Sequence, residues 1–140
     1  MTNLSKLRDE HLRLLATARR LGALIDQPQP APRLHLFALR HELSSVLIAH
    51  LKDEEWSLYP LLLASRDAHI AATAREFIAE MGGLALDYRA HCEKWNATAI
   101  AGDWPGYRRD CREVLDAVIV RITREDRELY PLMRELARAA

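Results

Sequence analysis

One motif occurs twice in this chain, and the repeat restricts the folds open to it. The first copy reads His50-Leu-Lys-Asp-Glu54-Glu55-Trp56-Ser-Leu58-Tyr59-Pro60-Leu61. The second reads Arg121-Ile-Thr-Arg-Glu125-Asp126-Arg-Glu-Leu129-Tyr130-Pro131-Leu132. Glu54 aligns with Glu125, 71 positions later in a chain of 140. A self-similarity of half the chain length indicates an internal duplication. It extends backwards, since Glu10-His11-Leu-Arg-Leu14 aligns with Glu80-Met81-Gly-Gly-Leu84. Each half must then repeat one structural unit.

The unit is a helical hairpin. Leu4, Leu7, His11, Leu14, Leu15, Ala18, Leu21 and Leu24 or Ile25 recur at spacings of three and four, which predicts a helix over residues 4–25 with one buried face and Asn3 or Ser5 as its cap. Pro28, Pro30 and Pro32 end it. Leu36, Leu39, Leu43, Leu47, His50, Leu51, Glu54, Leu58 and Leu61 form the inner stripe of a second helix over 33–64, kinked or stopped near Pro60. A third runs from about Asp67 to Ile100 on Phe77, Met81, Leu84, Tyr88, His91 and Trp95. Gly82-Gly83 inside it marks a kink or a close approach. Asp103 caps a fourth helix, with Pro105 in its first turn and an inner stripe of Val114 or Leu115, Val118, Arg121 or Ile122, Glu125, Leu129 and Leu132 or Met133. No strand-like alternation is present. The pattern predicts one all-α domain over residues 1–140, an up-down-up-down four-helix bundle built from two pseudo-repeated hairpins.

Composition narrows the function classes. Twenty Lys and Arg balance twenty Asp and Glu, which gives no electrostatic reason to expect nucleic acid. No apolar run reaches the roughly 20 residues of a membrane span, and no signal peptide is visible, so a cytoplasmic protein with free thiols at Cys92 and Cys111 is expected. Whether those two cysteines approach each other stays open. No nucleophile–base pair and no phosphate-binding loop stand out, so nothing points to a hydrolase or a nucleotide enzyme. Free helix faces are compatible with a monomer or a homodimer.

The inner stripes carry polar groups at matched places. His50 and Glu54 are one turn apart on one helical face. His11 comes from the first helix and Glu125 from the fourth. Bundle cores hold metal ions between inward carboxylates and histidines of this kind, and the donor set suits iron, manganese or zinc.

His-x-x-x-Glu-Glu followed by Leu-Tyr-Pro-Leu, with Glu10-His11 near the N-terminus, resembles the hemerythrin-like, or HHE cation-binding, domain over essentially the whole chain. The resemblance implies a di-iron centre that binds dioxygen or senses oxygen, iron, nitric oxide or redox state. It places His11, His50 and Glu54 at ligand positions and Glu125 at the acid that bridges the two irons. Two positions depart from the pattern. Arg121 replaces a histidine on the fourth helix, and Met81 replaces one on the third. Arginine stays protonated and cannot ligate, and a thioether is a poor ligand for iron. A full oxygen-binding or peroxide-decomposing di-iron site is therefore not expected.

Two chemistries remain open. In one, His11, His50, Glu54 and Glu125 hold a single metal, with Glu80 as a possible accessory ligand. In the other no metal binds, and Arg121 pairs with Glu54 and Glu125 in its place. The first gives a sensor, regulatory or iron- and redox-stress protein with part of its site lost. The second gives a metal-free helical adaptor. Tyr59 and Tyr130 either pack or hydrogen-bond near the core, and packing is preferred. Trp56, Trp95 and Trp104 are expected as core or loop anchors, and His91 as a structural residue. His35, His41 and His69 are expected at the surface, as is the run 125–128 apart from Glu125.

Overall fold

The computed structural model describes residues 3–139. Helices α1 (Leu4–Ile25) and α2 (Arg33–Asp53) form the first hairpin, and a π-turn (Glu54–Leu58) joins α2 to the short α3 (Tyr59–Leu63). The return rod consists of α4 (Ala68–Met81) and α5 (Leu84–Lys94), followed by the short α6 (Ala97–Gly102). Helix α7 (Trp104–Arg124), a second π-turn (Glu125–Leu129) and α8 (Tyr130–Ala139) complete the bundle. The four-rod, all-helical architecture read from the periodicity is the one observed.

Caps fall where the sequence places them. Asn3 accepts from the Lys6 amide at 3.0 Å, and Asp103 accepts from the Gly106 amide at 3.0 Å. The proline-rich link leaves the α1 C-terminus to be satisfied from α7, where Arg108 Nε donates to the Ile25 carbonyl at 2.6 Å.

The third rod is not the continuous helix expected over 67–100. It breaks at Gly82-Gly83 and again at Trp95-Asn96, where Asn96 caps α6. At Gly82 a Cβ would lie 2.5 Å from the Ile78 carbonyl oxygen. The first break therefore needs a residue without a side chain.

The prolines act differently from the expected stop. A proline has no N–H for the carbonyl four residues back, and its ring crowds that carbonyl. Here the chain widens instead. The Tyr59 amide donates to Glu54 five residues back, and the Tyr130 amide donates to Glu125 in the same way. Each π-turn fits its proline into a helix that continues, and each begins at the repeated glutamate. The extra residue shifts the buried face beyond it. Leu62 enters the core and Leu61, expected there, is exposed.

Two apolar clusters fill the bundle. The larger spans α1, α2, α5 and α7, with Leu14, Leu47, Tyr88, Trp95, Trp104 and Ile122 among its members. The smaller holds Leu7, Leu58, Leu62, Phe77, Leu129 and Tyr130. Burying one such side chain contributes about 1.5–3 kcal/mol, so these clusters carry the fold. Along α1, Leu7 belongs to one cluster and Leu14 to the other, with His11 between them. The polar residues occupy the seam.

Candidate metal centre

Six buried polar or charged side chains stand among the described residues: His11, Thr17, His50, Glu54, Arg121 and Glu125. All but Thr17 meet in the seam. His11 Nε2 lies 2.8 Å from Glu125 Oε1 and 3.1 Å from His50 Nε2. His50 Nε2 lies 3.4 Å from both Glu54 Oε2 and Glu125 Oε1. One ligand atom from each of these four residues falls within 4.8 Å of the others. That spread suits one ion with bonds of about 2 Å after small adjustment.

The far ring nitrogens are fixed by carboxylates. His11 Nδ1 donates to Asp126 Oδ1 at 2.9 Å, and His50 Nδ1 donates to Glu10 Oε1 at 3.0 Å. An ionised carboxylate only accepts, so both Nδ1 atoms carry protons and both Nε2 atoms turn inward. Carboxylate-backed histidines of this form are the usual outer layer of a metal site. Neither carboxylate was assigned this role from the sequence, and Asp126 had been placed on the solvated face. The signal was adjacency. Glu10 precedes His11 within α1 and Asp126 follows Glu125 in the second π-turn, and each reaches across to the histidine of a neighbouring rod.

The other side of the cluster belongs to Arg121. It donates from Nη2 to Glu54 Oε1 at 3.0 Å, from Nε to Glu125 Oε2 at 3.3 Å, and from Nη1 to the Met81 carbonyl at 3.0 Å. A fourth bond runs from Nη2 to the Tyr59 hydroxyl. Each carboxylate is thus divided. One oxygen, Glu54 Oε2 or Glu125 Oε1, faces the imidazoles, and its twin faces the guanidinium. The charge pairing expected of Arg121 and the ligand cluster expected of the histidines coexist in one network.

Both tyrosines take part, against the preference for packing. Tyr130 is fully buried and donates to Glu54 Oε2 at 3.0 Å, with its oxygen 2.9 Å from His11 Nε2. Tyr59 accepts from Arg121. Other residues stand apart. Glu80 is exposed and pairs with Arg124 on the outer face, so it adds nothing to the cluster. The Met81 side chain packs with the smaller apolar cluster, and only its carbonyl reaches the site. His91 stacks on Tyr107 at 6.0 Å within the larger cluster. Cys92 and Cys111 are free thiols lining one small cavity. Trp95 and Trp104 are buried, whereas Trp56 is 79% exposed, because two residues after the inward Glu54 it falls on the opposite side of the helix.

The charges of the seam favour further positive charge. Glu54 and Glu125 bring two buried negative charges and Arg121 one positive, and Glu10 and Asp126 add carboxylates at the outer ring nitrogens. Burial pushes the His50 imidazolium down, but hydrogen bonds and charge from Glu125 and Glu54 outweigh it and raise the group to about 10. Burial, with Glu125 beside it, raises Glu54 to about 7. Burial also works against ionisation of Glu125, yet Glu54, His11, His50 and Arg121 together hold it well below the usual carboxylate range. A proton on His50 offsets carboxylate charge in the protein alone, and a cation among the four ligand atoms would do so in its place.

A four-helix bundle with inward carboxylates and carboxylate-backed histidines is an arrangement that can hold a cation. The family profile described as the hemerythrin HHE cation binding domain matches residues 2–133, and the chain belongs to that family. Comparison with curated proteins and with solved structures yields no match. Among the described residues no helix is long and apolar enough to cross a membrane.

Proposed function

We propose that this hemerythrin-like domain holds a single divalent cation, iron first, and works as a metal-dependent sensor or regulatory module in iron or redox-stress handling. The observation that carries the reading is the division of the two carboxylates. Their histidine-facing oxygens, with His11 Nε2 and His50 Nε2, form one N/O donor set. Their other oxygens are taken by a guanidinium that cannot leave or ligate. Arg121 supplies the positive charge that a second ion would bring.

An iron ion held there would supply one-electron redox chemistry in a water-poor seam. The protein's own groups do the rest. Asp126 and Glu10 orient the imidazoles, Tyr130 presents a hydroxyl proton to Glu54, and Arg121 offsets carboxylate charge. Reversible dioxygen carriage by a metal pair does not fit a site with one cation place.

The Arg121 pairing also favours a second reading, a metal-free adaptor in which protonated His50 completes the charge balance. Elemental analysis of protein purified with iron, manganese and zinc present separates the two. One equivalent of metal per chain supports the proposal. No bound metal supports the adaptor. Two equivalents, with an oxo-bridged absorption band, contradict both.

A further inference from the structure

We propose that the surface groove beneath Trp56 binds a planar aromatic anion, and that the first π-turn links its occupancy to the cation site. Trp56 and Glu54 share that five-residue turn, one exposed and one buried. Ile48, Leu51 and Tyr88 give the groove an apolar floor, and Trp56 forms a wall of its roughly 270 Å³. That volume lies near the lower end of small-molecule sites, about 300–1,000 Å³, and is too small for a protein helix. The exposed Trp56 indole offers a π face on which a flat ring stacks, and the buried Tyr88 ring belongs to the apolar floor.

Charge selects the ligand's sign. Lys52 and Arg89 line the groove, and neither forms an ion pair among the described residues. Glu55 is the only acid in the lining, so the balance is positive. The Arg89 fork suits a carboxylate. A two-ring aromatic carboxylate satisfies the floor, the indole and both cations.

A second cavity adjoins the groove. It has about 90 Å³, shares Leu51, Glu55 and Ala85 with the groove's lining, and is also lined by Tyr59 and Arg121. A ligand that moves Trp56 or Glu55 shifts the turn that positions Glu54. This link, unlike the groove itself, rests on the single-cation reading.

The probe is 2-naphthoate, titrated calorimetrically into metal-free protein, with 2-naphthamide as the uncharged analogue. Saturable binding is expected, with a shift of the Trp56 indole N–H resonance and little change at Trp95 and Trp104. The amide should bind at least about tenfold more weakly, as should 2-naphthoate to Lys52→Ala/Arg89→Ala and to Trp56→Ala, a loss of about 1.4 kcal/mol or more. All three positions are exposed, so folding is not at risk. No saturation, equal affinity for the amide, or unchanged binding by the double variant overturns the site. Metal-loaded protein should bind 2-naphthoate with altered affinity, and 2-naphthoate should alter metal affinity by the same factor. Equal affinities overturn the link alone. A protein that takes up no metal sinks the cation reading and leaves the groove standing.

Discussion

At Glu54 and at Glu125 the helix makes the same π-turn before the same Leu-Tyr-Pro-Leu, and both glutamates are fully buried. One turn earlier the copies part: His50 stands in one and Arg121 in the other. The imidazole turns Nε2 toward the shared carboxylates, where a proton and a cation can exchange places. The guanidinium turns fixed N–H donors toward the same carboxylates and becomes the cation. A duplicated backbone can therefore keep its carboxylates while one half changes from ligand to permanent counter-ion. The lesson is that loss of a ligand need not mean loss of the site, because the charge it helped to bind can be replaced covalently.

The comparison breaks most sharply at Arg121. Arg121→Met keeps much of the side-chain volume but leaves Glu54 and Glu125 without their buried partner. Metal-free protein should lose about 3–5 kcal/mol of stability, read from urea unfolding in the presence of a chelator. A loss well under that range would mean that Arg121 does not neutralise the pair.

The histidine half is sharpened by its backing carboxylates. Glu10→Gln and Asp126→Asn should each weaken metal binding about 10–100-fold while helical content stays unchanged. Both substitutions replace the acceptor that fixes an Nδ1 proton and so loosen the Nε2 aim. Unchanged affinity in both variants would remove the metal from the histidine side.

Proton and metal compete for His50, which gives the most graded effect. Its pKa is raised to about 10, so metal-free protein carries that proton at neutral pH and a cation must displace it. Metal affinity should rise about tenfold per pH unit between about 7, where Glu54 titrates, and about 10. The stability sign follows from the same shift. A raised folded pKa contributes fully below the ordinary value of 6.5 and is lost as pH rises through about 10. Metal-free protein should weaken across that window and metal-loaded protein should not. A flat affinity profile would show that His50 is not protonated before binding.

The rods, their caps and the four ligand-type residues were legible in the sequence, because helical periodicity and one-turn spacing read directly as shared faces. The pairing of Arg121 with both glutamates followed from charge alone. What escaped depended on geometry that periodicity does not carry. The π-turns add a residue to one turn, which moved Leu61 out of the core and Leu62 into it. Glu10 and Asp126 lie beside core positions, and only the packed rods show that they reach across to His50 and His11. Tyr59 and Tyr130 look apolar in a stripe, yet their hydroxyls fall among the seam's polar atoms. The sequence also set metal and guanidinium as alternatives, whereas the divided carboxylates let both be served.

Anomalous scattering from crystals grown with ferrous or cobaltous ion tests the central claim most directly. The account predicts one peak, bounded by His11 Nε2, His50 Nε2, Glu54 Oε2 and Glu125 Oε1, with Arg121 still bonded to the opposite carboxylate oxygens. A second peak beside Arg121, or no peak among the four ligand atoms, would contradict it.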